Sequence, residues 1–342
     1  MSENPPIQEK LFEKIIEQHS NKTEAIDAIQ KILSIGKDST YRRLRGDTVL
    51  SSDELRDLAL KYNISLDELA FQDADIVFVS YNVFEAETQN FMEFTSNLNK
   101  MLKQVNGQPN IEILNATDEM PIFQLMRFKE LFAFKLYIWG VNTWQFENLQ
   151  DTPFTPDLVS PEVFKVATEN VKLYDSINTT ELWDLGVMDK TLNQIESCLL
   201  IERFDDPKIA YLLCDQLIEL FKHLKNVAEA EIKFPLGQTA EKGKGKFRLF
   251  YNEMSSTGNT FLIRSEQTKF LVSAFCTPNF FRSHDHRLCN YTENWIENII
   301  SRSNIMSGGG TQSRNRFFNR LEKKIKNMKK RIEMIIEGDV EF

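Results

Sequence analysis

The sequence predicts a mainly α protein: a compact five-helix N-terminal domain, then an α+β domain with a small sheet, then a basic C-terminal helix. Three observations carry this reading. Helix-start and helix-stop signals crowd into roughly the first seventy residues. Runs rich in β-branched and aromatic residues begin only after Asp73. Near the end, a basic segment with a heptad-spaced apolar stripe follows three consecutive glycines, Gly308 to Gly310. The corresponding domains are 1–72, 74–306 and 307–342.

The N-terminal helices are signalled one after another. Apolar residues at Ile7, Leu11, Phe12, Ile15 and Ile16 form one helical stripe. Asn21, with Glu24 three residues on, caps a second helix whose stripe is Ala25, Ile26, Ile29, Ile32 and Leu33, and Gly36 is expected to break it. A short third helix runs from Lys37 to Arg45 and stops at Gly46. Ser51 with Glu54, and Ser65 with Glu68, are capping boxes that open a fourth and a fifth helix.

Beyond Asp73 the pattern mixes. Ile76 to Val83 reads as a buried strand, Phe91 to Leu102 as a helix and Asn110 to Asn115 as a strand. Four helices are expected over Phe123 to Phe146, Pro161 to Tyr174, Thr180 to Phe204 and Pro207 to Ile232. Lys246 to Tyr251, Thr260 to Arg264 and Thr268 to Phe275 then suggest a three-stranded meander, followed by a helix over Thr292 to Ser301. Ser307 to Gly310 reads as a linker.

Composition excludes several classes. With 42% hydrophobic and 27% charged residues, 13 Gly and 10 Pro, the chain is globular and neither fibrous nor disordered. Cysteines at 198, 214, 276 and 289 match no paired zinc spacing and no disulfide framework, so free thiols are expected. The opening MSENPPIQEK has neither the basic nor the apolar region of a secretory signal, and the apolar run Leu131 to Val141 is too short to span a bilayer. A soluble cytoplasmic protein with no membrane partner is the expectation.

The net charge of −9 argues against nucleic acid, but the charges are segregated. Between Gln312 and Glu333 nine basic residues face two acidic ones, and Arg42, Arg43 and Arg45 cluster near the start. An acidic body can bind DNA through such spots alone. Helix, Gly36 turn, short arginine-bearing helix and capped helix together make a helix-turn-helix pattern. Tyr41 and Leu44 share one face of the third helix and are expected to pack on the second. Ser39, Arg42 and Arg43 then point toward a major groove, where Arg suits guanine, while Lys37, Thr40 and Arg45 flank them for phosphates.

Ser39-Thr-Tyr-Arg-Arg-Leu-Arg-Gly46, followed by the segment from Ser51 to Leu69 ending in Leu66-Asp-Glu-Leu69, resembles the bacterial Cro/repressor-type helix-turn-helix domain over residues 20–71. The chain departs from that pattern at Leu44, where many members carry Glu, and at Thr23-Glu24, where a Gln is usual. The rest is similar to a group of large bacterial regulators with such an N-terminus, through Asp118 to Phe123, Leu131 to Lys135 with Trp139, and Arg314 to Asn319. The resemblance implies a DNA-binding transcription regulator whose C-terminal domain senses an effector, dimerises, or both.

Other motifs are weaker. Phe318, Leu321, Ile325, Met328, Ile332 and Ile335 form an a/d seam that could pair with a twin in a homodimer, dock on its own domain, lie on a membrane or present a basic face to DNA. His284, Asp285, His286 and Cys289 are metal-type ligands, but Arg282 and Arg287 beside them disfavour a cation, so a surface loop and no metal are expected. Gly237 to Lys244 matches a phosphate-binding loop poorly in glycine spacing and reads as a flexible, solvated approach to a hairpin. The aromatic middle, from Phe123 through Phe128, Phe132, Phe134, Tyr137, Trp139, Trp144 and Phe146 to Trp183, could line a ligand pocket or fill a core. No hydrolase or metalloprotease motif occurs, so no enzyme and no cofactor are expected. The alternative to a regulator is a protein-interaction adaptor using the helical domain and the basic tail.

Overall fold

The structure, a computed structural model, describes residues 6–62, 64–70, 76–81, 90–254 and 257–338. The chain divides into two compact units, Met1–Phe78 and Val79–Phe342. The described residues of the first form five helices: α1 (Ile7–Glu17), α2 (Lys22–Leu33), α3 (Lys37–Leu44), α4 (Ser52–Tyr62) and α5 (Leu66–Ala70). Leu11, Ile15, Ala25, Ile29, Leu58 and Leu69 converge into its core. Two of the three cap signals are realised in detail, and the third, Ser65 with Glu68, rests on a side chain outside the described ones. The Asn21 side chain accepts the Glu24 amide at 2.9 Å. Ser51 Oγ accepts the Glu54 amide at 3.2 Å while Glu54 Oε2 accepts the Ser51 amide at 2.8 Å, a reciprocal capping box. Gly46, at φ +79, closes α3 in the left-handed region, as expected. Gly36 does not end α2: Ser34 takes the left-handed turn at φ 52, and Gly36 is the extended cap of α3.

The second unit runs β1 (Ser80–Tyr81), α6 (Phe91–Asn106), β2 (Glu112–Thr117), α7 (Ile122–Leu125), α8 (Lys129–Asn142), α9 (Pro161–Ser176), β3 (Asn178–Trp183), α10 (Asp189–Leu200) and α11 (Lys208–Ala230). It continues with β4 (Phe247–Tyr251), β5 (Thr260–Arg264), β6 (Lys269–Cys276), β7 (Asn279–Ser283), α12 (His286–Ser301), β8 (Asn304–Ile305) and α13 (Thr311–Glu337). Among the described residues, eight strands form one mixed sheet in the order β1-β7-β6-β5-β2-β3-β4-β8. β2, β3 and β4 are parallel, and the remaining pairs are antiparallel. α12 covers one face, its Ile296 packing with Leu114, Leu182 and Leu262 of the sheet, and the remaining helices of this unit bury the opposite face in one large core.

Several expectations are corrected here. The sheet is not small, and the meander is β5-β6-β7, because β4 pairs with β3 and β8 instead. Thr180 to Phe204 is not one helix: Thr179, Thr180 and Glu181 belong to β3, in register with β2 from Glu112 opposite Asn178. Only partners some seventy residues away reveal that strand. Within Ile76 to Val83 only Ser80 and Tyr81 pair, at the sheet edge, with Ile76 and Val79 exposed, and residues 82 and 83 lie outside the described ones. Phe123 to Phe146 is two helices, α7 and α8. Ser307 to Gly310 is a packed turn: Ser307 is buried and its Oγ accepts the Leu249 amide at 2.7 Å. A Cβ on Gly310 would lie 2.3 Å from the Ile305 carbonyl oxygen. α13 therefore belongs to the Val79–Phe342 unit and is not a separate segment after residue 306.

Candidate nucleic-acid interface

In the first unit, α3 is placed by what it buries. Thr40 is completely buried, with its hydroxyl donating to the Gly36 carbonyl at 3.2 Å, and Tyr41 and Leu44 are half-buried beside it. At about 100° per residue the side opposite Thr40 is that of Arg42, which is exposed. Lys37 and Arg45 are exposed too, as is Asp38 one turn before Arg42. Arg45 pairs with Asp47 at 2.9 Å between two exposed groups, a contact that solvent and phosphate can exchange at little cost.

Three expected contact residues, Thr40, Arg43 and Ser39, are engaged elsewhere. Thr40 faces the core, not a phosphate. Arg43 donates to Glu54 Oε1 at 2.8 Å and to Ser39 Oγ at 2.8 Å, with only 15% of its side chain exposed. Burial alone would raise the Glu54 carboxyl, but the Ser51 amide and the Arg43 guanidinium outweigh it and hold it below its ordinary value. Arg43 and Ser39 thus join α3 to the cap of α4.

A further positioning residue, Gln8 on α1, has no signature in the sequence. Its Nε2 donates to the carbonyls of Arg43 (2.7 Å) and Thr48 (3.0 Å), and its Oε1 accepts the Leu50 amide at 2.7 Å. The segment after α3 is thereby clamped to α1. No local pattern announces a partner 35 to 42 residues distant.

The C-terminal basic helix has a different fate. Phe318, Leu321, Ile325, Met328 and Ile332 are buried, and α13 packs against α11 and α10 of its own unit. Of the alternatives open for this seam, docking on its own domain is the one the structure shows, so the seam is occupied within the chain. Its cations meet carboxylates of the same unit: Lys324 with Asp189 (2.7 Å), Lys329 with Asp215 (2.5 Å), Arg331 with Glu196 (2.5 Å) and Arg320 with Glu253 (3.4 Å). Arg314, 1% exposed, donates to the carbonyls of Met306 (2.9 Å) and Gly308 (2.8 Å).

No protein-family model matches the chain, and neither a curated protein nor a solved structure is found to resemble it. Its function therefore rests on the chemistry of its own residues.

Two other regions of the second unit bear on chemistry. Of the aromatic middle, Phe128, Phe132, Phe134, Tyr137, Trp144 and Trp183 are core. Phe123 and Trp139, buried in the same core, also line an apolar cavity of about 120 Å³ whose lining includes the polar Thr117, Glu119 and Asn259. The second region is a buried charged cluster at the start of β3. Arg127 holds Asp175 through two bonds (2.6 and 3.0 Å), Tyr174 donates to Glu181 at 2.5 Å, and Lys233 donates to the Tyr174 carbonyl at 2.5 Å. Burial pulls Lys233 down to about 7 and His223 nearby down to about 4.

The metal-type cluster is not a surface loop. Asp285 caps α12, its carboxylate accepting the Leu288 amide at 2.8 Å, and Cys289 is buried in the first turns of that helix. Among the described residues no group of His, Cys, Asp and Glu is arranged to hold a metal, and no helix is long and apolar enough to cross a membrane. All four cysteines are free.

Proposed function

We infer that the chain is a sequence-specific DNA-binding transcription regulator. In this reading α2 and α3 act as a helix-turn-helix with α3 in the major groove, and residues 79–342 sense an effector, dimerise, or both. The observation that carries it is the exposed edge of α3, where Arg42 stands between Lys37 and Arg45 on a helix fixed from behind by Thr40, Gln8 and the Arg43–Glu54 pair. A recognition element must be rigid to place one guanidinium on one base edge. Arg42 is the base-reading group, bidentate to guanine O6 and N7, with Lys37 and Arg45 on phosphates. Arg43 is a positioning residue.

The test is capture of genomic fragments on the purified full chain at physiological salt, followed by titration of the recovered site. A two-fold symmetric motif with half-sites about 10 base pairs apart is expected if two copies bind. Arg42→Ala should weaken the cognate complex by about 1–3 kcal/mol and relax one position of the motif. Recovery of no motif, or an Arg42→Ala variant that binds as the parent does, overturns the reading.

One observation favours the adaptor alternative. Residues 1–78 hold 15 Asp and Glu against 10 Lys and Arg, and Val49 and Leu60 stand 79% and 73% exposed. A protein partner would exploit both features, and its complex would survive salt that strips DNA.

A further inference from the structure

The segment Gly237 to Lys244 is not the flexible approach to a hairpin that its composition suggests. Ala240–Lys242 is a 3-10 turn closed by the Lys242 amide on the Thr239 carbonyl (3.0 Å) and the Gly243 amide on the Ala240 carbonyl (2.9 Å). A ladder of backbone bonds then holds Lys244 and Gly245. The Lys244 amide donates to the Lys233 carbonyl at 3.0 Å, the Lys233 amide to Gly245 at 2.8 Å, and the Gly245 amide to Asp175 at 2.8 Å. Gly245 is pressed so closely on this frame that a Cβ would lie 2.3 Å from the Ile177 carbonyl oxygen. The segment is one wall of a pocket of about 380 Å³, with the ends of α7 and α9 as the other.

The lining of that pocket is one-sided in charge. Arg127, Lys172, Lys242 and Lys244 contribute four cations, the buried Lys233 amine, pulled down to about 7, adds only part of a charge, and Asp175 is the one carboxylate among the lining residues. Asp175 is already held by both arms of Arg127. Lys172, Lys242 and Lys244 are exposed, and none of them makes an ion pair among the described residues. This contrasts with the surroundings: the chain as a whole carries −9, and the cations of α13 find carboxylates on their own unit. Like charges around one pocket repel one another, and an anion bound among them relieves that repulsion. Lysines are compact point charges suited to phosphate. Met126, Val171 and Leu236 add an apolar wall.

The geometry points to a binding site for a small molecule bearing a di- or triphosphate, its phosphates among Lys172, Lys242 and Lys244 and its organic part on Met126, Val171 and Leu236. The Arg127 side chain and Lys233, both almost wholly buried, form the fixed floor. This deepens the sensing role proposed for residues 79–342 and rests on that reading only for its consequence. Binding is measured without DNA, so failure of the anion site and failure of operator recognition are separate results.

The experiment is isothermal titration of the full chain with sodium pyrophosphate and with ADP, at 0.15 M salt in a phosphate-free buffer. Saturable binding of one equivalent is expected for both, with each probe competing against the other. Lys172→Glu/Lys244→Glu should weaken it at least tenfold. Arg316→Glu/Lys323→Glu, with the same charge change on exposed positions of α13, should bind as the parent does. Melting curves verify that the variants fold, and Lys172→Gln/Lys244→Gln provides a milder pair should the first fail. The proposal is overturned if neither probe binds the parent at millimolar concentration. It is equally overturned if the pocket and α13 variants weaken binding to the same extent, which would mark a diffuse charge effect.

Discussion

α3 and α13 are the two basic segments of the chain, and the structure puts them to opposite uses. α13 carries far more charge, yet four of its cations reach carboxylates on α10, α11 and the β4 end, and its apolar stripe is sunk in the same unit. α3 carries less, and Arg42 and Lys37 on it stay exposed while Arg43 alone is drawn into the fold. The number of positive charges in a segment thus says little about its availability. What decides is whether counter-charges lie on the surface against which the segment docks. For α13 the surplus is an internal match between a basic helix and an acidic body.

That contrast can be tested in descending order of effect. Leu321→Ala removes a fully buried side chain where α13 docks, and chemical denaturation should register a loss of about 2–5 kcal/mol with no change in oligomeric state. A smaller species on gel filtration, with stability unchanged, would instead return the seam to a dimer. Arg314→Met leaves the Met306 and Gly308 carbonyls without their donor and should cost about 2–3 kcal/mol by the same measurement.

The inner face of α11 gives a pH signature. Burial first, and then the charge of Arg127, lower His223 to about 4, so it stays neutral in the folded chain. Between about 6.5 and about 4 the unfolded chain binds a proton that the folded one refuses. Stability is therefore full above that window and falls on acidification, by on the order of 1–3 kcal/mol. His223→Gln should flatten this part of the stability-against-pH curve, and an unaltered slope would show that another group carries it.

In the N-terminal unit, Glu54→Ala removes half of a capping box and the partner of Arg43, for an expected loss of about 1 kcal/mol in thermal unfolding. Arg42→Ala should shift stability by no more than about 0.5 kcal/mol. If Arg42→Ala proved as destabilising as Glu54→Ala, Arg42 would share the structural role of Arg43, and the exposed edge of α3 would lose its meaning.

The candidate interface is legible in the sequence only in part, for a physical reason. The stripe of α3 shows to within one residue, but Tyr41 and Leu44 do not reveal that Thr40, beside Leu44 on the same side, is the most deeply buried residue of the helix. Threonine is polar enough to pass for a surface residue, and its hydroxyl is satisfied by the Gly36 carbonyl of its own helix. Arg43 likewise reads as a groove-facing residue until Glu54, eleven positions on, is seen to reach it. In the aromatic middle, periodicity could not separate Phe123 and Trp139, which line a cavity, from Phe132 and Phe134, which do not.

By itself the sequence determined the five helices of the first unit and the N-terminal caps of α2 and α4, the placement of α6, α9, α11 and α13, and the strands β5 and β6. Each rests on interactions between residues a few positions apart. Only the tertiary structure decided the eight-stranded order, the strand nature of Thr179 to Trp183, the neutralisation of the basic helix and the convergence of Arg127, Lys172, Lys233, Lys242 and Lys244 on one pocket. Those features join groups tens to more than a hundred residues apart. Their energies come from burial and from charges meeting across the fold, which local spacing does not encode.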